Sequence, residues 1–387
     1  MKIRSTSLST ALAAAVVGLA AASASPQAGA ARAELHVEVS THTMPGMGGI
    51  GALGRITGNL TGGNASYGQA RHPGMPGRYL DIALDNDARP GAPAEQAVPK
   101  GLRLGRSIEL LAPERRESAG TGVTDGNGIP GVDTDSSHEI RYYWGCSETA
   151  GNGQPRRVTT TVRNGKASTS GSAPAPRAVP RLGVTADPAY ALWPNPSSRK
   201  AVSARASLAG AHRVTGSGLP QAIEFEIDRA QDFMPELDLR SSGAAAEGIR
   251  LDWDGVDGAR AYFIHAMGMD GDTVVMWSSS GDGYAGPELM AYLPGGTVSQ
   301  GLGKRTLLSP DARSCSIPKG IFASEPMVQM IAYGGTQTIE GDDWRVHLRN
   351  KSTTMLMGGG MGGVAAPDAG DVGRQGAKGL LRGLLGR

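Results

Sequence analysis

Residues 249–267 read IRLDWDGVDGARAYFIHAM. Ile249, Leu251 and Trp253 alternate with Arg250, Asp252 and Asp254, the period-2 pattern of a strand with one buried face. Gly255-Val256-Asp257-Gly258 supplies a turn, and Ala261 to Met267 starts the next strand. The same signal spreads outward. Ile223, Phe225 and Ile227 alternate with Glu224, Glu226 and Asp228, and further strands are predicted over 273–277, 327–333 and 344–348. Short strands at this spacing, separated by glycine turns, predict a sandwich or barrel.

Leu251-Asp252-Trp253 followed by Gly258-Ala259-Arg260-Ala261-Tyr262-Phe263-Ile264 resembles the second and third strands of a fibronectin type III or immunoglobulin-like sandwich. Met327 to Gly334 is similar to the penultimate strand of that family, and 336–348 to its final hairpin partner. The resemblance covers about residues 245–350. It implies a sandwich scaffold and no particular activity, because such scaffolds carry many functions.

Upstream, Leu35, Val37 and Val39 alternate with His36, Glu38 and Ser40, and 78–84, 138–146 and 157–163 also read as strands. A glycine-rich tract (45–74) and a Gly/Ser/Asp/Thr-rich stretch (112–137) read as flexible insertions. Prolines 174, 176, 180, 188, 194 and 196 make 167–200 the expected interdomain linker, because such density breaks helix interiors and central strands. The expected fold is mainly β: two β-sandwich-like domains with long Gly/Pro-rich loops, after a signal peptide. Its parts are a signal peptide (1–33), an N-terminal β domain (34–166), the linker (167–200), a fibronectin-like sandwich (201–354) and a Gly/Met-rich tail (355–387).

Composition agrees. Glycine and proline supply 58 and 24 of 387 residues, and only 19% are charged. That excludes a coiled coil and a highly charged disordered chain. Lys2 and Arg4, an apolar stretch over 11–22 and small-residue sites at 22–24 and 31–33 have the form of a secretory signal. The expected location is therefore periplasmic, cell-surface or extracellular. Removing 1–33, whose charges are Lys2, Arg4 and Arg32, turns a net charge of +2 into −1, so no nucleic-acid partner is implied. Cys146 and Cys315 form either a disulfide or two separate buried thiols.

Candidate chemistry is sparse. There is no G-x-S-x-G, H-E-x-x-H or P-loop, and Ser197 to Lys200 fits S-x-x-K only within the proline stretch. No cofactor is expected, with two metal alternatives. His42, Met44 and Met47, and His265, Met267 and Met269, combine imidazole and thioether donors suited to copper. Aspartates at 125, 133 and 135, at 252, 254 and 257, at 270 and 272, and at 342 and 343 supply oxygen ligands for calcium, or simply turns. In the tail, Leu380, Leu381, Leu384 and Leu385 share a helical stripe beside Arg382, a pattern for docking on a membrane surface or a partner groove. Tyr142, Tyr143, Trp144 and Trp193 are candidate contact aromatics.

The leading expectation is an exported, non-catalytic binder of an envelope protein or polymer, acting through sandwich loops. The alternatives are an envelope-polymer hydrolase whose carboxylates the sequence does not single out, and a copper-handling protein.

Overall fold

The computed structural model describes residues 32–45, 66–114, 135–163, 166–175 and 177–358. Residues 1–31 of the expected signal peptide, Met47, most of both insertions and the tail from 359, including Leu380 to Leu385, lie outside them.

The described chain is mainly β. Its strands are β1 (Ala33–Thr43), β2 (Gly77–Asn86), β3 (Ala94–Ala97), β4 (Ser107–Leu110), β5 (Asp135–Trp144), β6 (Arg156–Arg163), β7 (Lys166–Gly171), β8 (Tyr190–Trp193), β9 (Gly210–Gly216) and β10 (Ile223–Ile227). Then come β11 (Leu239–Ala244), β12 (Gly248–Trp253), β13 (Ala261–Asp270), β14 (Thr273–Ser278), a short helix α1 (Gly295–Gly303), β15 (Ser314–Ile317), β16 (Met327–Glu340) and β17 (Trp344–Leu356).

Ten strands form one long sheet in the order β7-β6-β5-β14-β13-β16-β17-β1-β2-β8. Neighbours run antiparallel except β1 with β17 and β5 with β14. Two small sheets, β10-β9-β3-β4 and β11-β12-β15, cover one face of it. The first closes a core over β1, β2, β8 and the start of β17, with Leu35, Val37, Ile82, Trp193, Val214, Phe225 and Leu348 inside. The second closes a core over β13, β14 and β16, where Trp253 packs edge-on to Tyr262 at 5.7 Å. β17 places both cores on one face: its Val346 and Leu348 enter the first, and Ser352 and Thr354, on the same face, pair with Ala332 and Met330 of the second. The opposite face carries a third cluster, where Phe263, Ile331 and Tyr333 pack under Leu289, Leu293, Val298 and Leu307.

The structure departs from the expected division at 167–200. β8 lies inside that stretch and pairs with β2 at the edge of the long sheet, where prolines on either side cost no central ladder bond. β1 sits between β2 and β17, so the first and last described strands share hydrogen bonds along their length. The signal segment expected over 1–33 overlaps β1 by one residue, Ala33, which is buried. Cys146, just after β5, is bonded to Cys315 on β15, which ties the long sheet to the three-stranded one.

Candidate functional site

From β5, whose Tyr143 still packs in the second core, β6 and β7 extend the long sheet beyond both cores. Where this wing meets the cores, Tyr142, Pro174, Ala175, Arg177, Met276, Tyr284, Gly286, Pro287 and Glu288 line a groove of about 360 Å³. The parallel register of β5 and β14 sets Tyr142 beside Met276. The Tyr142 ring meets Tyr284 edge to face at 4.9 Å. The Tyr284 hydroxyl donates to Met276 Sδ at 3.3 Å and sits 2.9 Å from His265 Nε2. Burial, with the Glu288 charge second, holds that phenol un-ionised well above its ordinary range.

Arg177 is fixed in the groove wall. Its guanidinium donates to both Asp282 oxygens at 3.0 and 3.3 Å and to Thr306 Oγ1 at 3.3 Å. Burial alone would raise the Asp282 pKa, but hydrogen bonds from Ser280, Thr306 and Arg177 outweigh it and hold the carboxyl below its usual range. Glu288 Oε1 accepts the Gly286 N–H at 2.9 Å. The groove thus offers two phenol rings, two prolines, a thioether, one oriented cation and one carboxylate. Rings and prolines suit the flat apolar face of a sugar or an extended peptide, and the fixed ionic groups suit hydroxyls or a carboxylate.

A second polar cluster is closed to solvent. On β1, Leu35, Val37 and Val39 enter the first core, while His36, Glu38, Ser40 and His42 face the opposite side and are equally buried. Register sets Glu38 between Asp81 of β2 and Arg349 of β17. Arg71 Nη2 donates to both Glu38 oxygens at 3.0 and 2.9 Å, and Arg349 Nη1 reaches Oε1 at 3.4 Å. Lys351 Nζ donates to the carbonyls of Arg71 and Met290 and lies 4.7 Å above the Tyr292 ring. Burial pushes the Lys351 amine down to about 7 and, in the same pocket, the Asp81 carboxyl up to about 7. These groups clamp the segments at 66–72 and 181–184 and the Met290–Tyr292 stretch onto the sheet. They do not open to a ligand.

Of the candidate contact aromatics, Tyr142 lines the groove and Trp144, half-buried, stacks under Arg156 at 5.8 Å. Trp193 is instead fully buried in the first core, and Tyr143 packs in the second. Among the described residues the two His/Met sets do not converge. His42 lies on β1 and His265 on β13, three strand spacings apart, or about 14 Å. His42 Nδ1 is 2.8 Å from Thr353 Oγ1. Met267 pairs across the sheet with Met276 and Met327, a row that no local motif announces, while Met269 lies 55% exposed beyond it and Met44 is half-buried past the end of β1. Of the candidate aspartates, four pair with arginines: Asp254 with Arg240, Asp252 with Arg250, Asp270 with Arg141 and Asp343 with Arg32, while Asp125 and Asp133 lie outside the described residues.

Sequence reasoning missed Tyr284, Arg177 and Glu288, which reach the groove from distant segments. It also missed Glu34, His36 and His347, whose side chains gather at the far end of β1. Comparison of the chain with protein-family models found no match, and comparison with curated proteins found no significant relative.

Proposed function

We propose that the chain is an exported, non-catalytic binding protein that holds a polymer in the groove beside β5, with a glycan chain as the class that fits. The observation that carries this is the pairing of Tyr142 and Tyr284 beside Pro174 and Pro287, with Arg177 held rigid at the wall. Rings and prolines give contact area at low entropic cost, and an anchored guanidinium adds orientation. Of the two acidic side chains around it among the described residues, Asp282 is committed to three donors, which leaves Glu288 without a described partner carboxylate of the kind glycoside hydrolysis uses.

Export draws support from the basic and apolar N-terminal sequence and from the disulfide, a bond that persists in oxidising compartments. No helix of the described residues is long and apolar enough to cross a membrane. The fibronectin-like reading of the second lobe is supported by its strand order. β11-β12-β15 face β14-β13-β16-β17, with the core tryptophan on the second strand of the lobe and the tyrosine on the third. That scaffold presents the groove without specifying its occupant.

The test uses insoluble cell-wall glycan as probe, with retention and release of soluble reducing ends measured in the same tubes. Wild-type protein is retained and releases nothing, and Tyr142→Ala and Arg177→Ala each weaken retention at least about tenfold. Equal retention of both variants removes the groove from the reading. Release of soluble product replaces the binding reading with a hydrolase.

A further inference from the structure

The alternation of β1 puts Glu34 and His36 on one face, and the parallel register with β17 sets His347 directly opposite His36. The two imidazoles stack, with centroids 4.9 Å apart and planes 22° from parallel. Both present Nε2 to the same oxygen: Glu34 Oε2 lies 3.3 Å from His347 Nε2 and 3.9 Å from His36 Nε2. The three donor atoms all lie within 4.8 Å of one another. Around a tetrahedral zinc with bonds of about 2.0–2.1 Å, neighbouring ligands stand about 3.3 Å apart. The Glu34–His347 edge already has that length, and a shift of about half an ångström in His36 closes the Glu34–His36 edge. The third edge, His36–His347, lies within 4.8 Å and closes only as the stacked rings turn their Nε2 atoms together.

We propose that Glu34, His36 and His347 form a binding site for a zinc-class divalent cation. Two imidazoles and one carboxylate are the borderline donor set that such ions take, as distinct from the all-oxygen shell of calcium or the soft shell of Cu(I). The neighbouring cations do not block it. Arg345 Nε turns to Glu340 at 3.3 Å, and its Nη1 approaches only the other oxygen of Glu34, at 3.8 Å. Arg349 shares Glu38 with Arg71, so its charge is only partly met there, which lowers the affinity of the site for a cation without occupying a donor atom. Thr338 Oγ1, 3.3 Å from His347 Nδ1, orients that ring through its non-ligating nitrogen. His36 Nδ1 is buried without such a partner, which sets the affinity below that of a fully supported site. The side chains of His347 and Glu34 are 22% and 35% exposed, so an ion bound here keeps a coordination position open to solvent.

The test uses the untagged full chain, stripped with a chelator and titrated with Co²⁺ under visible absorption, then with Zn²⁺ against a chromophoric chelator. The expected result is one equivalent of Co²⁺ with the intense bands of a tetrahedral ion, displaced by Zn²⁺. His347→Ala and Glu34→Gln lie at partly exposed positions, and each weakens Zn²⁺ binding by more than the roughly 100-fold that loss of an outer-shell partner costs. His138→Ala, on β5, leaves binding unchanged. Circular dichroism confirms that each variant is folded, and Zn²⁺ raises the melting temperature of wild type but not of His347→Ala. Absence of a stoichiometric Co²⁺ or Zn²⁺ complex in wild type overturns the proposal, as does equal affinity in folded His347→Ala.

Discussion

Glu38 is 1% exposed and touches two arginines, so its charge is the one most tightly constrained by its surroundings. Removing one partner of a buried ion pair leaves the other charge desolvated, a cost of roughly 3–5 kcal/mol. Glu38→Gln should therefore lower the unfolding free energy by about 3 kcal/mol in urea titration. Adding Arg349→Met should recover part of that loss, since one of the two orphaned cations goes with it. Gly183 tests the same cluster from the other side. Its φ is +76°, and a Cβ there would lie 1.8 Å from Glu38 Oε1 and 2.5 Å from Arg71 Nη2. Gly183→Ala should cost at least about 2 kcal/mol, through left-handed strain plus displacement of the ion pair. Titration gives a third test. Burial pushes His265 down to about 4, below its ordinary 6.5. Between those values the unfolded chain binds more protons, so the contribution of His265 is complete above about pH 6.5 and is lost as pH falls towards 4. Asp81, raised to about 7, acts with opposite sign over much of that range. The comparison must therefore be between variants: between pH 6.5 and 5, His265→Gln should lose roughly 2 kcal/mol less stability than wild type.

At the scale of elements, the disulfide joins the end of β5 to β15 across a sequence separation of 169 residues. In the chain-entropy account a loop of that length removes about 5 kcal/mol of freedom from the unfolded chain. Reduction, or the Cys146→Ser and Cys315→Ser pair, should lower the unfolding free energy by several kcal/mol, with that value as the ceiling. An unchanged denaturation midpoint would show that the two sheets hold together without it. Strands were legible wherever alternation and burial coincide. β10 and β12 are buried at Ile223, Phe225, Ile227, Ile249, Leu251 and Trp253, the positions their pattern marks. In β1 the strand was legible but its environment was not: alternation marks His36, Glu38 and Ser40 for solvent, whereas segments remote in sequence cover them. β8 was hidden by its flanking prolines, and α1 by a glycine-rich sequence, GGTVSQGLG, that is a poor helix former by itself. The groove was legible only at Tyr142, because its other walls come from Pro174, Ala175 and Arg177, which follow β7, and from 276–288, which β5 reaches only through the parallel pairing with β14.

Across the described residues, the two cores differ in how they are drawn from the chain, and this sets what each can do alone. The second is built from residues between Met234 and Leu356, with Tyr143 the one contribution from elsewhere. The first takes side chains from 33–110, from Ala191 to Phe233 and from Trp344, Val346 and Leu348. A fragment of residues 32–166 therefore lacks β8, β9, β10 and β17, and with them half the walls of its core. It should remain unfolded, without a cooperative melt by circular dichroism. A fragment of residues 234–358 keeps β11 to β17 and nearly all of the second core, and it should fold with reduced stability. Its β17 would then expose Val346 and Leu348 where β1 and the four-stranded sheet normally lie. Adding a 32–233 chain should cover that edge and restore a single transition, because β1 pairs with β17 over its whole length. A cooperative melt for 32–166 alone would mean that the first core closes without β17 and that the proline-rich stretch does separate two domains. Failure of 234–358 to fold would mean that the strand partnership between the two ends of the described chain holds up both lobes.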